Sequence, residues 1–402
     1  MTSNTGPIAD SRIRTVLISG AGIGGPTLAY CLHRRGYRPT LVERAPRLRD
    51  SGSAVDFRGK QMDVLVRTGI LDQVRARQTG MGEQVVVDEQ NRPLAALPSA
   101  IFSGEVEIDR GALTQILYER SRVATEYVFG DWVTGLSETP GGVDVTFAHG
   151  APRTFDLVVG ADGMHSGVRR LIFGDEANAR TDTGYYIAAF NGANVLGLDH
   201  EGRIYNVPGK GVMVSSSTDP DVAGVGFVWK SGPLDYDRHD LGQQKMLVQD
   251  AYTGLGWAVP ELLSELRRSP DLYFDTISQI TMDTWSAGRV ALLGDAAWCA
   301  GPGGNGTGLA MMGAYILAGE LATRDGDYQA AFAAYERQLR PAATACAKQA
   351  RSTGPYLAPA TQKKLRQRNR AYRMLSTKLA SRIFIRMSQK TANLVALPDY
   401  PS

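Results

Sequence analysis

Cysteine is scarce in this sequence, and long apolar runs are missing from it. The 402 residues include only Cys31, Cys299 and Cys346, an odd set whose spacing matches neither a disulfide framework nor a zinc site. Sparse cysteine of this kind is typical of a reducing compartment, so we expect a cytoplasmic protein. Residues 1–13 carry no apolar signal region, and no apolar run reaches membrane-spanning length.

Acidic residues are missing from one stretch near the C-terminus. Residues 363–390 contain ten Lys and Arg but no Asp or Glu, whereas the rest of the chain has 34 basic and 41 acidic residues. A basic tail on an acidic body is compatible with binding to nucleic acid or to a membrane surface. Apolar residues in this stretch recur at steps of three and four, which is typical of a helix packed on its own domain. The stripe consists of Tyr372, Leu375, Leu379, Ile383 and Met387. We therefore favour packing over membrane contact, and expect no nucleic-acid partner.

Short apolar runs predict an α/β fold with a parallel sheet. Four runs are typical of buried strands, at Thr15–Ser19, 40–43, Leu157–Gly160 and 290–294. Residues 26–36 have helical spacing, with a proline in the first turn and a glycine at the end, so that 15–43 forms a β-α-β unit. Arg110–Ser121 also predicts a helix.

The character of the sequence changes between residues 174 and 284. Short stretches rich in aromatic and β-branched residues alternate there with turns, which predicts an antiparallel sheet. Helical spacing at 244–257 and 260–268 interrupts it. From Thr307 onwards the pattern is mostly helical, with breaks expected near Pro341 and over residues 355–359.

The first chemical motif is a GxGxxG element between the first strand and the first helix. Gly20 permits a tight turn, Gly22 lets the backbone approach a phosphate, and Gly25 lets helix and strand pack closely, with Gly24 completing the run. Free N–H groups at the helix start would face the anion. Two residues follow at the end of the next strand: Glu43, whose carboxylate can accept hydrogen bonds from ribose hydroxyls, and Arg44, which could reach a phosphate or adenine. This motif indicates a dinucleotide and leaves FAD, NAD and NADP open.

Two further strands are each followed by an acidic residue, and the two carboxylates could face one ligand. Asp162 follows one strand in DLVVGADGMHSGVRR, and Asp295 follows another in GRVALLGDAA. A glycine-rich helix start that includes Gly304 and Gly306 could offer N–H groups to an electron-rich ring edge.

With these three motifs in this order, residues 14–340 resemble the class A flavoprotein monooxygenases, the family of para-hydroxybenzoate hydroxylase, aromatic polyketide hydroxylases and tetracycline-inactivating monooxygenases. The resemblance implies FAD bound in an extended form, with Glu43 at the adenosine ribose and Asp295 at the ribityl chain. It associates Asp162 with both FAD and reduced pyridine nucleotide, and places Arg110 at a helix start that contacts the cofactor.

The same resemblance implies the architecture. A Rossmann-like FAD-binding domain of the glutathione reductase type is expected from 1–75, 106–173 and 285–340. An inserted, mainly antiparallel substrate domain is expected from 76–105 and 174–284, and a helical C-terminus from 341–402. The activity it implies is that of a monooxygenase of secondary metabolism, such as antibiotic biosynthesis. NADH or NADPH reduces FAD, O2 adds at flavin C4a, and the hydroperoxide hydroxylates, or inserts oxygen into, an aromatic or polycyclic molecule.

The sequence departs from the family pattern in the flavin-facing loop. Trp298 stands where histidine is frequent after GDAA, Pro302 is shifted by one position, and Asn305 and Gly308 replace the usual glutamine and asparagine. We therefore expect this loop to have a geometry of its own.

Substrate contacts are expected mainly from the predicted sheet. Each candidate is explained as well by core packing; the candidates are Tyr205, Asn206, Phe227, Trp229 and Trp298. Asp56 and Arg58 either lie near the flavin or form a structural ion pair, and His165 is expected to be a surface residue. The sequence predicts no metal site and no particular catalytic base.

Other functions remain compatible with the motifs. A flavin reductase or dehydrogenase would share the fold. A flavin-dependent halogenase is disfavoured, because its Trp-x-Trp-x-Ile element is reduced to the single Trp257. A non-enzymatic flavoprotein docked by its basic tail is the remaining alternative.

Overall fold

The computed structural model describes residues 13–48, 54–101, 103–216, 218–303 and 305–401. Its strands are β1 (Thr15–Ser19), β2 (Arg38–Glu43), β3 (Val55–Phe57), β4 (Gln84–Val87), β5 (Pro93–Leu97), β6 (Val106–Ile108), β7 (Glu126–Phe129), β8 (Val133–Thr139), β9 (Gly142–Phe147), β10 (Arg153–Phe155), β11 (Leu157–Gly160), β12 (Arg180–Ala193), β13 (Glu201–Val207), β14 (Lys210–Ser216), β15 (Val222–Lys230), β16 (Tyr273–Ile280), β17 (Ser286–Ala287) and β18 (Val290–Leu292). Its α-helices are α1 (Gly24–His33), α2 (Gln61–Arg67), α3 (Leu71–Ala76), α4 (Arg110–Ser121), α5 (Gly167–Phe173), α6 (Leu241–Tyr252), α7 (Val259–Arg268), α8 (Asp295–Trp298), α9 (Gly306–Thr323), α10 (Tyr328–Ala350), α11 (Thr353–Leu357), α12 (Gln362–Leu375) and α13 (Lys378–Ala392).

A six-stranded sheet carries the nucleotide-binding motifs. Its order is β17-β18-β11-β1-β2-β7, and every pairing is parallel except that of β17 with β18. The Val, Leu and Ile side chains of the central strands β1 and β11 are fully buried, because helices cover the sheet. The predicted parallel sheet and β-α-β unit are confirmed, and the carboxyl ends of β1, β2, β11 and β18 meet at one edge.

A seven-stranded sheet forms the second large layer. Its order is β16-β12-β15-β14-β13-β4-β5, antiparallel except where β13 pairs with β4. α6 and α7 cover one face of it, which we call the outer face, and the Tyr252 hydroxyl of α6 donates to the carbonyls of Gly211 and Val228 at 2.8 Å. The mainly antiparallel sheet expected from the aromatic stretches is confirmed.

The break expected at Pro341 is wrong, because α10 continues through this proline. Leu339, Ala342 and Ala343 are buried in the core on either side of it. Packing of these residues outweighs the one backbone hydrogen bond that proline removes.

The apolar stripe near the C-terminus packs on the domain over only part of its length. Tyr372 is buried against the edge of the large sheet and Leu375 is partly buried there. Leu379 and Ile383, however, have 73% and 52% of their surface exposed. The prediction of a fully packed stripe is therefore wrong for these two residues; the side chain of Met387 lies outside the described part of the structure.

Candidate cofactor and substrate site

The glycine turn between β1 and α1 leaves room for a ligand. Gly20 has a φ of +110°, a conformation that favours glycine, and its N–H donates to the Val42 carbonyl at 2.8 Å. A Cβ on Gly25 would collide with the Gly20 carbonyl, so glycine is needed for α1 to lie this close to the strand. A Cβ on Gly22 would meet no atom within 4 Å. Gly22 therefore borders open space, and free N–H groups begin there, since α1 starts at Gly24.

Glu43 lies beside this turn and is held by two backbone donors. Its carboxylate accepts hydrogen bonds from the Ala21 N–H at 2.7 Å and from the Ala45 N–H at 2.9 Å. The next residue, Arg44, is exposed, and its guanidinium carbon lies over the Trp132 ring, 5.0 Å from the ring centroid. The end of β2 thus presents a fixed carboxylate next to a cation stacked on an aromatic ring.

Asp162 fixes the turn between β11 and α5. It accepts hydrogen bonds from the Ser166 hydroxyl, from the Val168 N–H at 3.1 Å and from the Ser19 hydroxyl at 3.4 Å. Burial raises the pKa of the Asp162 carboxyl, and these donors offset part of the effect. Because Ser19 ends β1, Asp162 joins the second motif to the first.

Sequence reasoning does not single out Arg169, which holds the second motif against the third. Its side chain is buried and donates to the Ala296 carbonyl at 2.9 Å and to the Met164 carbonyl. The only sequence signal is its place in the GVRR that ends the Asp162 motif, three residues after the Ser166 cap of α5.

Asp295 begins α8 at the edge where the parallel strands end. Its side chain is open to solvent, yet it lies deep enough among protein atoms that burial raises the pKa of its carboxyl. The charge of Arg110 and a hydrogen bond with Cys299 act in the opposite direction. Asp295 is therefore accessible although protein surrounds much of it; we call the space that it borders the cleft, and its carboxylate the Asp295 wall.

The start of α9 lies beside Asp295. A Cβ on Gly306 would lie 3.9 Å from the Asp295 carboxylate, and the first turn of α9 has no side-chain cap. Asn305, just before this turn, contacts the Gln61 and Gln349 amides at 3.4 Å. The structure thus brings Asp295, Arg110 and Gly306 together; Gly304 lies outside the described residues.

Three of the proposed substrate residues lie on the outer face of the large sheet. Tyr205, Phe227 and Trp229 are buried in the core beneath α6 and α7. Phe227 packs edge-on against Tyr252 at 4.6 Å, and Trp229 stacks on Tyr186 at 5.6 Å. Their side chains therefore take the core-packing role that is the alternative to substrate contact, with residues of α6 and α7 packed on them.

The other two candidates also have structural partners. The Asn206 amide donates to the Leu357 carbonyl at 2.7 Å and accepts from Arg368 at 2.7 Å, which ties the sheet to the C-terminal helices. Trp298 is buried against Trp285, with ring centroids 4.3 Å apart. Both side chains thus make contacts between elements, as the core-packing alternative predicts.

On the inner face, opposite α6 and α7, one row of cross-strand partners is not fully buried, and we call it the open row. Tyr273, Ala189, Gly226 and Met213 are consecutive cross-strand partners, so their side chains share one face. Ala189, Gly226 and Met213 are only partly buried, and the Tyr273 side chain is 49% exposed. Alternation along β15 accounts for this, since Gly226 lies between the buried outer-face residues Val225 and Phe227.

Tyr273 connects this inner face to the cofactor cleft. Burial raises the pKa of its hydroxyl, and the nearby charges of Asp275 and Asp295 raise it further. The same strand, β16, reaches the flavin-facing loop, because the Ile280 N–H donates to the Cys299 carbonyl at 2.8 Å. Since the charge of Asp295 reaches the Tyr273 hydroxyl, the end of the open row at Tyr273 lies near Asp295.

His165 is not the free surface residue that the sequence suggests. Its Nδ1 contacts Glu176 and its Nε2 contacts Asp275, both at 2.9 Å. Burial alone would lower the pKa of His165, but the two carboxylates raise it above its usual value. Asp56 and Arg58 form a buried ion pair, which is one of the two arrangements that the sequence left open for them.

A Rossmann-like sheet with a GxGxxG turn, joined to a large antiparallel sheet, is the arrangement of a two-domain flavoprotein. The family model described as "FAD binding domain" matches residues 14–350. A flavin-dependent monooxygenase of Legionella longbeachae is 36% identical over 330 residues, which covers 81% of this chain and 85% of that protein. The chain belongs to the class A FAD-dependent monooxygenases.

Solved structures agree with this assignment. The tetracycline destructase Tet(51) superposes with a TM-score of 0.85 at 32% identity, covering 96% of this chain and all of that one. Klebsiella pneumoniae HpxO, solved with FAD and uric acid, has a TM-score of 0.76 over 96% of this chain and 98% of that one. At 20% identity this second similarity shows the shared fold.

Proposed function

We propose that this monooxygenase uses NADH or NADPH and O2 to oxygenate an aromatic or polycyclic small molecule. The observation that supports this substrate class is the open row of Ala189, Gly226 and Met213, which leaves a flat apolar floor beside Tyr273 and the Asp295 wall. FAD, when bound, would supply hydride acceptance and dioxygen activation. Binding, orientation and the exclusion of water would be the work of the protein.

The residues of the cleft fit FAD. The open space at Gly22 would take the pyrophosphate without a clash, because no side chain occupies it. Glu43 would accept hydrogen bonds from the adenosine ribose and Asp295 from the ribityl hydroxyls. The uncapped N–H groups of α9 would face the electron-rich edge of the ring, since a helix start favours negative charge.

The inner face would orient the substrate. Gly226 adds no side chain to this floor, so a planar ring system can lie against it with most of its surface buried. The Tyr273 hydroxyl at one end would position a polar group of the substrate. The names of relatives are consistent with ring compounds, because Tet(51) is named for tetracycline and HpxO was solved with uric acid.

Substitution of Gly226 tests the substrate site apart from the cofactor site. Gly226→Val adds a Cβ that would meet only the flexible end of Met213, at 3.2 Å, so the strand should fold normally. We expect FAD binding to be unchanged, while KM for an active aromatic substrate rises about tenfold or more as the floor is filled.

Val222→Ile, at the exposed start of the same strand, is the matched control and should leave KM unchanged. An unchanged KM in Gly226→Val would remove the inner face from the substrate site. Consumption of NADH or NADPH without an oxygenated product from any phenol or polyketide would instead favour a flavin reductase.

A further inference from the structure

The outward side of α12 and α13 carries several exposed cations. The exposed basic side chains include Arg366 and Arg370 on α12 and Arg382 and Arg386 on α13. Among the residues that the structure describes, none of these four arginines pairs with a carboxylate, whereas exposed Arg122 pairs with Glu119 at 2.6 Å. These arginines have no acidic neighbour within their own helices, because residues 363–390 contain no Asp or Glu.

Exposed aliphatic side chains lie among these cations. Leu379 and Ile383 are one helical turn apart and alternate with Arg382 and Arg386 along α13. Met374, near the end of α12, is 65% exposed. The opposite side of α13 packs on the domain, and Ser381 and Ala392 are buried there. We call the exposed set of Arg366, Arg370, Met374, Leu379, Arg382, Ile383 and Arg386 the α12–α13 face.

A set of exposed cations that also includes exposed aliphatic side chains matches one kind of surface. Lys and Arg are attracted to anionic headgroups, while Leu, Ile and Met side chains enter the boundary between headgroups and acyl chains. Nucleic acids would use the cations but leave the aliphatic side chains in water. A second copy of the chain would bring two cationic faces together.

We propose that the α12–α13 face docks the protein on an anionic lipid surface. Docking would be peripheral, since within the described residues no helix is both long and apolar enough to cross a bilayer. The remainder of the chain has a net negative charge. Anionic headgroups would repel it, so it would face away from the lipid. This inference is independent of the substrate proposed above.

Co-sedimentation of the full chain with vesicles tests the proposal. We expect binding at low salt to vesicles that contain phosphatidylglycerol, loss of binding in high salt, and no binding to pure phosphatidylcholine. Leu379→Glu/Ile383→Glu should raise the lipid concentration for half-binding about tenfold or more.

The matched control is Val123→Glu/Met246→Glu, which also replaces two exposed apolar side chains, 88% and 57% exposed, by two acids. It should bind like the unmodified protein. Arg382→Gln/Arg386→Gln, at exposed positions, repeats the test should the first variant fail to fold, and should weaken binding to anionic vesicles several-fold.

Three results would overturn the proposal. They are no binding to anionic vesicles at low salt, equal binding of the face and control variants, and a tighter interaction with duplex DNA than with the vesicles. A dimer in light scattering that Leu379→Glu/Ile383→Glu dissociates would assign the face to a second copy of the chain instead.

Discussion

Two carboxylates at strand ends, Glu43 and Asp295, are held in different ways. Both oxygens of Glu43 accept backbone N–H groups, so its position is set by the chain itself. Asp295 is open to the cleft, and its neighbours are the charge of Arg110 and the thiol of Cys299. Glu43 is therefore preorganised, while Asp295 keeps acceptor capacity for a ligand hydroxyl.

Asp295→Ala is expected to weaken FAD binding. Hydrogen bonds to a charged group contribute about 1.5–3 kcal/mol, so the Kd for FAD should rise about 10- to 100-fold. Titration of the apoprotein with FAD, followed by flavin fluorescence, measures it. Asp283→Ala, outside the cleft motifs, serves as control, and an unchanged Kd in Asp295→Ala would remove this residue from the site.

His165 gives stability a dependence on pH. Its folded pKa is raised by Asp275 and Glu176, so its contribution is present below the ordinary value of 6.5 and is lost as pH rises through the folded pKa. The pKa of Glu176 falls from 4.5 to about 2: burial opposes the change, but the hydrogen bond and charge of His165, together with Arg180 and Arg169, outweigh it. The contribution of Glu176 is therefore present above 4.5 and lost as pH falls towards 2.

His165→Gln should thus cost about 1–3 kcal/mol of unfolding free energy near pH 5.5 and less at alkaline pH. Denaturant unfolding of both proteins at the two pH values measures the difference. An equal loss at both would show that the imidazole acts only by packing.

At the scale of elements, two glycines in the turn between β1 and α1 have different roles. The Gly20 carbonyl leaves no room for a Cβ at position 25, whereas a Cβ at position 22 would meet no atom within 4 Å. Stability and ligand binding therefore depend on different residues of one motif.

Two alanine substitutions make this distinction measurable. Gly25→Ala should destabilise the fold by about 1–3 kcal/mol, because α1 must move from the strand. Gly22→Ala should leave the melting temperature unchanged but weaken FAD binding, because its methyl group enters the phosphate space. Thermal unfolding without FAD and FAD titration separate the two effects, and a destabilised Gly22→Ala would contradict this description of the turn.

The sequence predicts the bounds of an element well where a single pattern is enough to identify that element. β1, β11 and α4 have the bounds that apolar runs and helical spacing predict, and the acids at strand ends follow from motif position. The two faces of the large sheet were not predictable in this way. Along β15 the aromatic residues Phe227 and Trp229 are typical of a binding surface as much as of a core, and only the docking of α6 and α7 decides between them.

The same limit applies to the C-terminal stripe. Its spacing is regular from Tyr372 to Ile383, but the neighbouring surface ends near Leu375. Periodicity shows that a helix has an apolar side and not what covers it.

At the scale of the whole molecule, the two sheets meet where the chemistry is expected. β16 belongs to the large sheet, and its Gln279 amide donates to the Ala300 carbonyl of the flavin-facing loop at 3.1 Å. At the other end of β16, Tyr273 borders both the inner face and the Asp295 wall. One strand thus joins the inner face, where we propose that the substrate lies, to the residues around Asp295.

Turnover under isotopically labelled dioxygen tests the account most directly. The protein, loaded with FAD, is supplied with NADH or NADPH and a panel of phenols and polycyclic polyketides, and the products are weighed by mass spectrometry. The account predicts a product that carries one labelled oxygen atom, formed only when FAD and the reductant are both present. Failure to bind FAD, or a product oxidised without any label, would contradict it.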